Sequence, residues 1–243
     1  MNVSAPTPRA GDVGDPSGGR AAPRRHYAAA MAHISAVCVL HRLRPEPDNP
    51  DGTTAIDKRP VAGPVAVGPL GVAGDLQVDR EHHGGVDQAV YLYADEDADW
   101  WAAELGRDIP PGLFGENLRT VGIDLSATRI GQRFRVGDGP VLEVTAPRTP
   151  CVTFARRMDE PHWVKRFTER RAPGAYARVL EPGAIRAGDP VVALGPPEHD
   201  VTVAALLPPV EPGAFQRLLD AERTGAVQLS ERLRRKAVTA TGV

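Results

Sequence analysis

The chain holds only two cysteines, Cys38 and Cys151, in 243 residues. That scarcity excludes a disulfide framework and points to a reducing compartment, so the expected location is the cytoplasm. It also excludes an intrinsic four-cysteine iron–sulfur cluster or zinc site. Aromatics are few (Trp 3, Tyr 4, Phe 5). No apolar run approaches the length of a membrane span, so no membrane partner is expected. A formal net charge of −2 with no basic stripe leaves no footprint for nucleic acid.

Glycine (25) and proline (24) are abundant, which suits a turn-rich, β-dominated domain. Residues 1–32 carry Pro, Gly, Ala and Arg with no hydrophobic period and no apolar signal segment, and read as a disordered tail. Met31, just before the first strand-like stretch, is a candidate start of translation. Strands are predicted at 34–40, 62–67, 88–93, 133–136, 140–146, 175–180 and 190–194 from their Val, Ile, Leu and Tyr content. Gly137-Asp138-Gly139 reads as a hairpin turn. Without a regular βαβ rhythm, these strands point to a barrel or sandwich.

Helices are predicted at 95–105, where acids lead and Gly106 follows, and at 161–171, which starts at Pro161 and ends in Arg170-Arg171. The pair Trp100-Trp101 reads as a core anchor. Beyond Gly195-Pro196-Pro197, residues 212–222 and 226–237 read as two helices of a separate unit. Its Arg232, Arg234, Arg235 and Lys236 read as a solvated face. The expected division is therefore a tail (1–32), a mainly β domain (33–195) and a small helical C-terminal appendage (196–243).

Four segments could carry chemistry. Pro147-Arg148-Thr149-Pro150-Cys151 is stiffened by its prolines, and Arg148 would favour the thiolate of Cys151. Local sequence leaves packing and chemistry equally open for this thiol. In the run 79–88, the Gly84-Gly85 pair lets backbone N–H groups approach an anion. His82 and His83 are adjacent, so in an extended chain they face opposite ways and do not share one metal ion. One functional imidazole, His83, oriented by Asp87, is the preferred reading. Gly112-Leu113-Phe114-Gly115-Glu116-Asn117-Leu118 reads as a sharp turn able to hydrogen-bond a heterocycle edge. Lys58 and Arg59 add fixed positive charge.

Together, the run His83-Gly84-Gly85-Val86-Asp87-Gln88-Ala89-Val90, then Phe114-Gly115-Glu116-Asn117, then Pro147-Arg148-Thr149-Pro150-Cys151 resembles the MOSC domain, named for the C-terminal part of molybdenum cofactor sulfurase. Gly131, Arg178-Val179-Leu180-Glu181-Pro182-Gly183 and Ala187-Gly188-Asp189 extend the match over roughly residues 34–195. The C-terminal helices, with Asp200-Val201-Thr202-Val203, are similar to the appendage of standalone bacterial members related to 6-hydroxylaminopurine reductase.

The resemblance implies a MOSC-type β-barrel with a few peripheral helices, and a pterin-based molybdenum cofactor. Cys151 stands where the family places its metal-ligating thiolate, and soft sulfur suits such a site. The resemblance makes Lys58, Arg148 and the Gly84-Gly85 backbone candidates for the phosphate or pterin, Asn117 for the pterin edge, and His83 and Asp87 for proton handling at the substrate. It also carries a family-level association with pyridoxal phosphate. The expected activity is reduction of N-hydroxylated or N-oxygenated small molecules. With no cysteines for a cluster, electrons would come from a separate reductase or ferredoxin-like protein. The alternative is a sulfur-carrier or cofactor-binding module with a persulfide on Cys151. A Cys151–His83 hydrolase ranks below both.

Overall fold

The computed structural model describes Met1 and residues 31–49, 51–78 and 84–242. Most of the expected tail, and both His82 and His83, lie outside the described residues. Short runs of β-branched, small apolar and aromatic residues, ended by Gly, Pro and Asp, give short strands. They are β1 (His33–Leu40), β2 (Arg44–Pro45), β3 (Thr53–Thr54), β4 (Lys58–Pro60), β5 (Val65–Gly68), β6 (Gly71–Val72), β7 (Val90–Ala94), β8 (Leu118–Val121), β9 (Arg133–Val136), β10 (Val141–Pro147), β11 (Ala175–Glu181), β12 (Gly183–Ile185) and β13 (Val191–Leu194). The helices are α1 (Asp95–Leu105), α2 (Val152–Met158), α3 (Trp163–Arg170), α4 (Ala214–Arg223) and α5 (Glu231–Thr241).

One eight-stranded sheet runs in the order β13-β9-β10-β11-β7-β8-β1-β4, beside two small sheets, β12-β5-β6 and β2-β3. Its neighbours are antiparallel except β7 and β8. A parallel pair needs a crossover, and α1 supplies it, a βαβ unit that the sequence reading did not foresee. The start of β1 meets the start of β13 through the bridge His33–Pro190 and hydrogen bonds from Ile34 N–H to the Asp189 carbonyl (2.9 Å) and from Val191 N–H to the Ala32 carbonyl (2.7 Å). No ladder closes the sheet among the described residues. The fold is therefore a mixed, sheet-dominated one with several helices, its first and seventh strands meeting at a seam where a barrel was expected.

The predicted hairpin at Gly137-Asp138-Gly139 joins β9 to β10, and Gly137 takes a φ of +55° there. Helix α1 has the predicted span: acids occupy its first turn, and Gly106, at φ +64°, ends it in the left-handed region. Helix α5 starts at Glu231 rather than 226, because the Ser230 hydroxyl accepts a hydrogen bond from Leu233 N–H and sets the first turn. Leu229 N–H instead donates to Glu222 Oε1 (3.1 Å).

Strand β7 is buried on both faces and separates two cores. Successive side chains alternate, so Val90, Leu92 and Ala94 enter an aliphatic core while Tyr91 and Tyr93 enter an aromatic one. The aliphatic core runs without interruption from Ile34, Leu142 and Val144 to Val203, Leu218 and Leu233. Residues 196–243, read from sequence as a separate unit, thus share the sheet's core. The aromatic core holds Trp101, Phe114, Phe154, Trp163 and Phe167 besides the two tyrosines. Within it Trp101 is buried whereas Trp100 is 41% exposed, so only one of the predicted anchors serves as one.

Candidate functional site: a cationic cleft at Cys151

The Phe114-Gly115-Glu116-Asn117 turn is built from the inside out. Phe114 is fully buried and meets Tyr93 edge-on at 4.8 Å. Buried Glu116 accepts from Gly112 N–H (2.7 Å) and from Arg119 Nε (2.5 Å), which closes the turn and neutralises a buried guanidinium. Gly112, at φ +86°, passes so close to β4 that a Cβ there would stand 2.4 Å from the Lys58 carbonyl oxygen. The turn therefore fixes β4 and delivers Asn117 to the rim of a cleft.

That cleft is lined by Lys58, Asp75, Asn117, Arg148 and Cys151, with Tyr91, Tyr176, Gln77 and Gln88 around them. Lys58 Nζ donates to Asp75 Oδ2 at 2.6 Å, and Asn117 Nδ2 donates to the same oxygen at 2.7 Å. Asn117 Oδ1 accepts from Tyr91 N–H (3.1 Å), and Nδ2 also reaches the Cys38 carbonyl at 3.4 Å. The Asn117 amide thus ties β1, β7 and Asp75 together, and its hydrogen-bonding groups are engaged within the protein. Asp75 Oδ1 is buried and has no partner among the described residues.

Arg148 lies buried with its guanidinium carbon 4.5 Å from the Phe154 ring and 4.9 Å from the Tyr91 ring. Its Nη1 reaches the Tyr176 hydroxyl at 3.5 Å, and its Nε has no partner among the described residues. Burial opposes its charge; Tyr176, Tyr91 and Cys151 beside it offset that, and the guanidinium stays charged. Cys151 is partly exposed at the N-cap of α2, its backbone extended at φ −124°. Neither cysteine forms a disulfide. Cys38 is fully buried in β1, and burial pushes its thiol up to about 12. The two cysteines therefore differ in kind: one is a packed core residue, the other lines the cleft beside a fixed cation.

The structure brings together Lys58, Asn117, Arg148 and Cys151. It does not bring Gly84, Gly85 or Asp87 into the cleft lining. Gly85 N–H donates to Gln77 Oε1 at 2.8 Å, so that amide serves the loop's own geometry. The Asp87 carboxylate lies 3.4 Å from Arg178 Nη1, within the Val86–Gln88 turn. Asp75 and Tyr176 are cleft residues that the sequence reading missed. Asp75 stands four positions before the polar run that begins at Asp79, and that proximity was the available signal.

The geometry agrees with comparisons to known proteins. A family model described as MOSC domain matches residues 79–192. The chain is 35% identical over 150 residues to the uncharacterized protein YflK of Bacillus subtilis, covering 62% of this chain and 67% of that protein. It is 32% identical over 182 residues to protein YiiM of Escherichia coli, covering 71% of this chain and 80% of that one. A protein named Reductase from Gibberella moniliformis is 35% identical over 152 residues, but the match spans 60% of this chain and only 26% of that longer protein. The crystal structure of YiiM from Geobacillus stearothermophilus superimposes with a TM-score of 0.68 at 25% identity, over 86% of this chain and 98% of that one. With its sheet, its cleft and these relatives in agreement, the chain belongs to the MOSC domain family.

Proposed function

We propose that the cleft binds a molybdenum–pterin cofactor and that the protein reduces N-hydroxylated or N-oxygenated compounds with electrons from a separate donor protein. One observation carries the reading: Cys151, Arg148, Lys58 and Asn117, drawn from three separated stretches of chain, line a single cleft. The residues fit the group. A partly exposed thiol offers one soft metal ligand, two cations face an anionic phosphate, and the orphaned Arg148 Nε and Asp75 Oδ1 are a donor and an acceptor left over for a polar heterocycle. When bound, the cofactor supplies two-electron redox chemistry.

The chain's own residues do the rest. Cys151 holds the metal from the N-cap of α2, and the stiff Pro147–Pro150 segment keeps its backbone in place. Arg148 and Lys58 hold negative charge, and Asn117 and Asp75 keep Lys58 in position. In the overall reaction the N–O bond of R–NHOH breaks, two electrons and two protons are taken up, and R–NH2 and water leave. His83 is our candidate for proton delivery, and Asp87, paired with Arg178, orients the segment that carries it.

The test is metal and pterin analysis of wild type and Cys151→Ala from a host that makes the cofactor, followed by turnover with a competent electron donor. Molybdenum in the wild type, its loss in the variant, and reduction of a hydroxamic or hydroxylamine substrate are expected. Fully loaded protein that reduces neither substrate would sink the reductase reading. An added sulfur on Cys151, found by mass spectrometry without molybdenum, would instead establish the sulfur-carrier role.

A further inference from the structure

A second cavity, of about 570 Å3, abuts the Cys151 cleft and shares two residues with it, Tyr176 and Gln88. That volume falls within the roughly 300–1,000 Å3 typical of small-molecule sites. Its walls are mostly apolar and come from both parts of the chain: Pro147 ends β10, Leu206 and Val210 lie in the segment before α4, Phe215 is on α4, and Leu233 is on α5. Thr149 lines this cavity and Cys151, two residues on, lines the cleft. The segment bearing the thiol thus serves both spaces.

The charged residues of this cavity are of one sign. Arg232, Arg235 and Lys236, all on α5, line it, and among the described residues no Asp or Glu does. Their neighbour Arg234 pairs with Glu222 at 2.7 Å and stays out of the lining. Among the described residues Arg235 has one loose intrahelical ion-pair contact, with Glu231 at 4.0 Å. Lys236 has no carboxylate in ion-pair range among the described residues. Burial and the neighbouring charge of Arg232 lower its basicity. Gln88, which lines both spaces, has its Oε1 buried without a hydrogen-bond partner among the described residues, a spare acceptor between the cavity and the cleft.

We propose that this cavity is the substrate chamber of the Cys151 site and that it takes amphipathic acids: an apolar or aromatic body, a carboxylate held by the α5 cations, and an N-hydroxylated end directed past Gln88 and Tyr176. The assignment rests on the reductase reading for its reacting end, whereas its charge preference stands on the cavity alone. The solvated face read from the sequence is there, since all four cations are exposed, and three of the four also line the chamber.

Calorimetric titration of the full-length protein from a cofactor-producing host, with biphenyl-4-carboxylate and its neutral analogue biphenyl-4-carboxamide, tests this. The acid is expected to bind at least tenfold more tightly than the amide. In the double variant Arg235→Gln, Lys236→Gln that preference is expected to fall below threefold, with an unchanged melting curve as the check on folding. Equal affinity for the two probes, no saturable binding of the acid, or a preference untouched by the charge removal would overturn it. Molybdenum content, read on the same preparations, separates the two claims. Acid selectivity without metal uptake keeps the chamber and removes the reductase reading; metal uptake without acid selectivity does the reverse.

Discussion

Asp75 and Asn117, 42 positions apart in sequence, meet at 2.7 Å beneath the cleft, and the same Asp75 oxygen accepts from Lys58. One carboxylate therefore locks an edge strand, a central turn and a loop into one arrangement. Asp75→Ala would leave a largely buried ammonium and an amide without their partner. We expect a loss of about 3 kcal/mol in urea denaturation. Molybdenum retention should fall with it, whereas Asp75→Glu should recover part of both. Wild-type stability in Asp75→Ala would show that the Lys58 contact is incidental.

Arg148 reaches the cleft by stacking between Tyr91 and Phe154, which a flexible ammonium does not reproduce. Replacing it with Met removes a cation that interacts with Cys151 while keeping most of the volume. The pH at which iodoacetamide alkylates Cys151 should then move upward, because a neighbouring cation favours the thiolate. Cys38, buried and held at about 12, will not contribute to the signal. An identical pH profile in Arg148→Met would mean that the charge does not act on the thiol.

Gly112 occupies a position where both φ and space exclude a side chain. With φ at +86° and the Lys58 carbonyl oxygen 2.4 Å from a Cβ, Gly112→Ala must push β4 outward. A cost of about 3 kcal/mol is expected. Because the displaced strand carries Lys58, cofactor retention should drop more than in a core variant of equal stability, such as Val203→Ala. Equal retention in the two would separate the turn from the site.

Asp97 and Asp57 set two different pH windows. Burial raises Asp97 to about 6 despite Arg170 beside it, against an ordinary value near 3.8. The folded state therefore keeps this proton longer than the unfolded chain does, and stability falls as pH rises from about 4 to about 6, by about 2–3 kcal/mol. Asp97→Asn should flatten that fall. Asp57 behaves oppositely: burial works against its charge, but Arg157, Arg42 and Arg59 outweigh it and hold the carboxyl below its usual range. Its contribution is present above about pH 4 and is lost as pH falls through its lowered value. Melting temperatures from pH 3 to 7.5 check both, and a slope unchanged between pH 4 and 6 in Asp97→Asn would rule out the first.

Much of the sheet was legible because its strands carry ordinary β residues between turn residues. Strand β8 was not: Leu118-Arg119-Thr120-Val121 is wholly buried, yet Arg119 breaks the apolar pattern. Its burial depends on Glu116 and Asp95, a pairing that only the tertiary structure creates. Lys58-Arg59-Pro60 hid β4 in the same way, since an edge strand tolerates charge and proline. Helix α2 escaped notice because its seven residues follow a proline–cysteine break too closely to show a period. Of the site, the thiol and its cations could be read locally. Asp75 could not, because what marks it is contact with residues 17 and 42 positions away.

The concentration of aromatic residues on one side of β7 also has a spectroscopic side. All three tryptophans of the chain, Trp100, Trp101 and Trp163, sit on α1 and α3, Trp101 and Trp163 in the aromatic core and Trp100 against Trp101, and none belongs to the aliphatic core. Intrinsic fluorescence therefore watches only the half of the molecule behind the cleft, while far-ultraviolet ellipticity also follows α4 and α5. Coincident melting curves from the two signals would show the halves unfolding as one cooperative unit; a fluorescence transition that lags would mark the C-terminal helices as the part that leaves first.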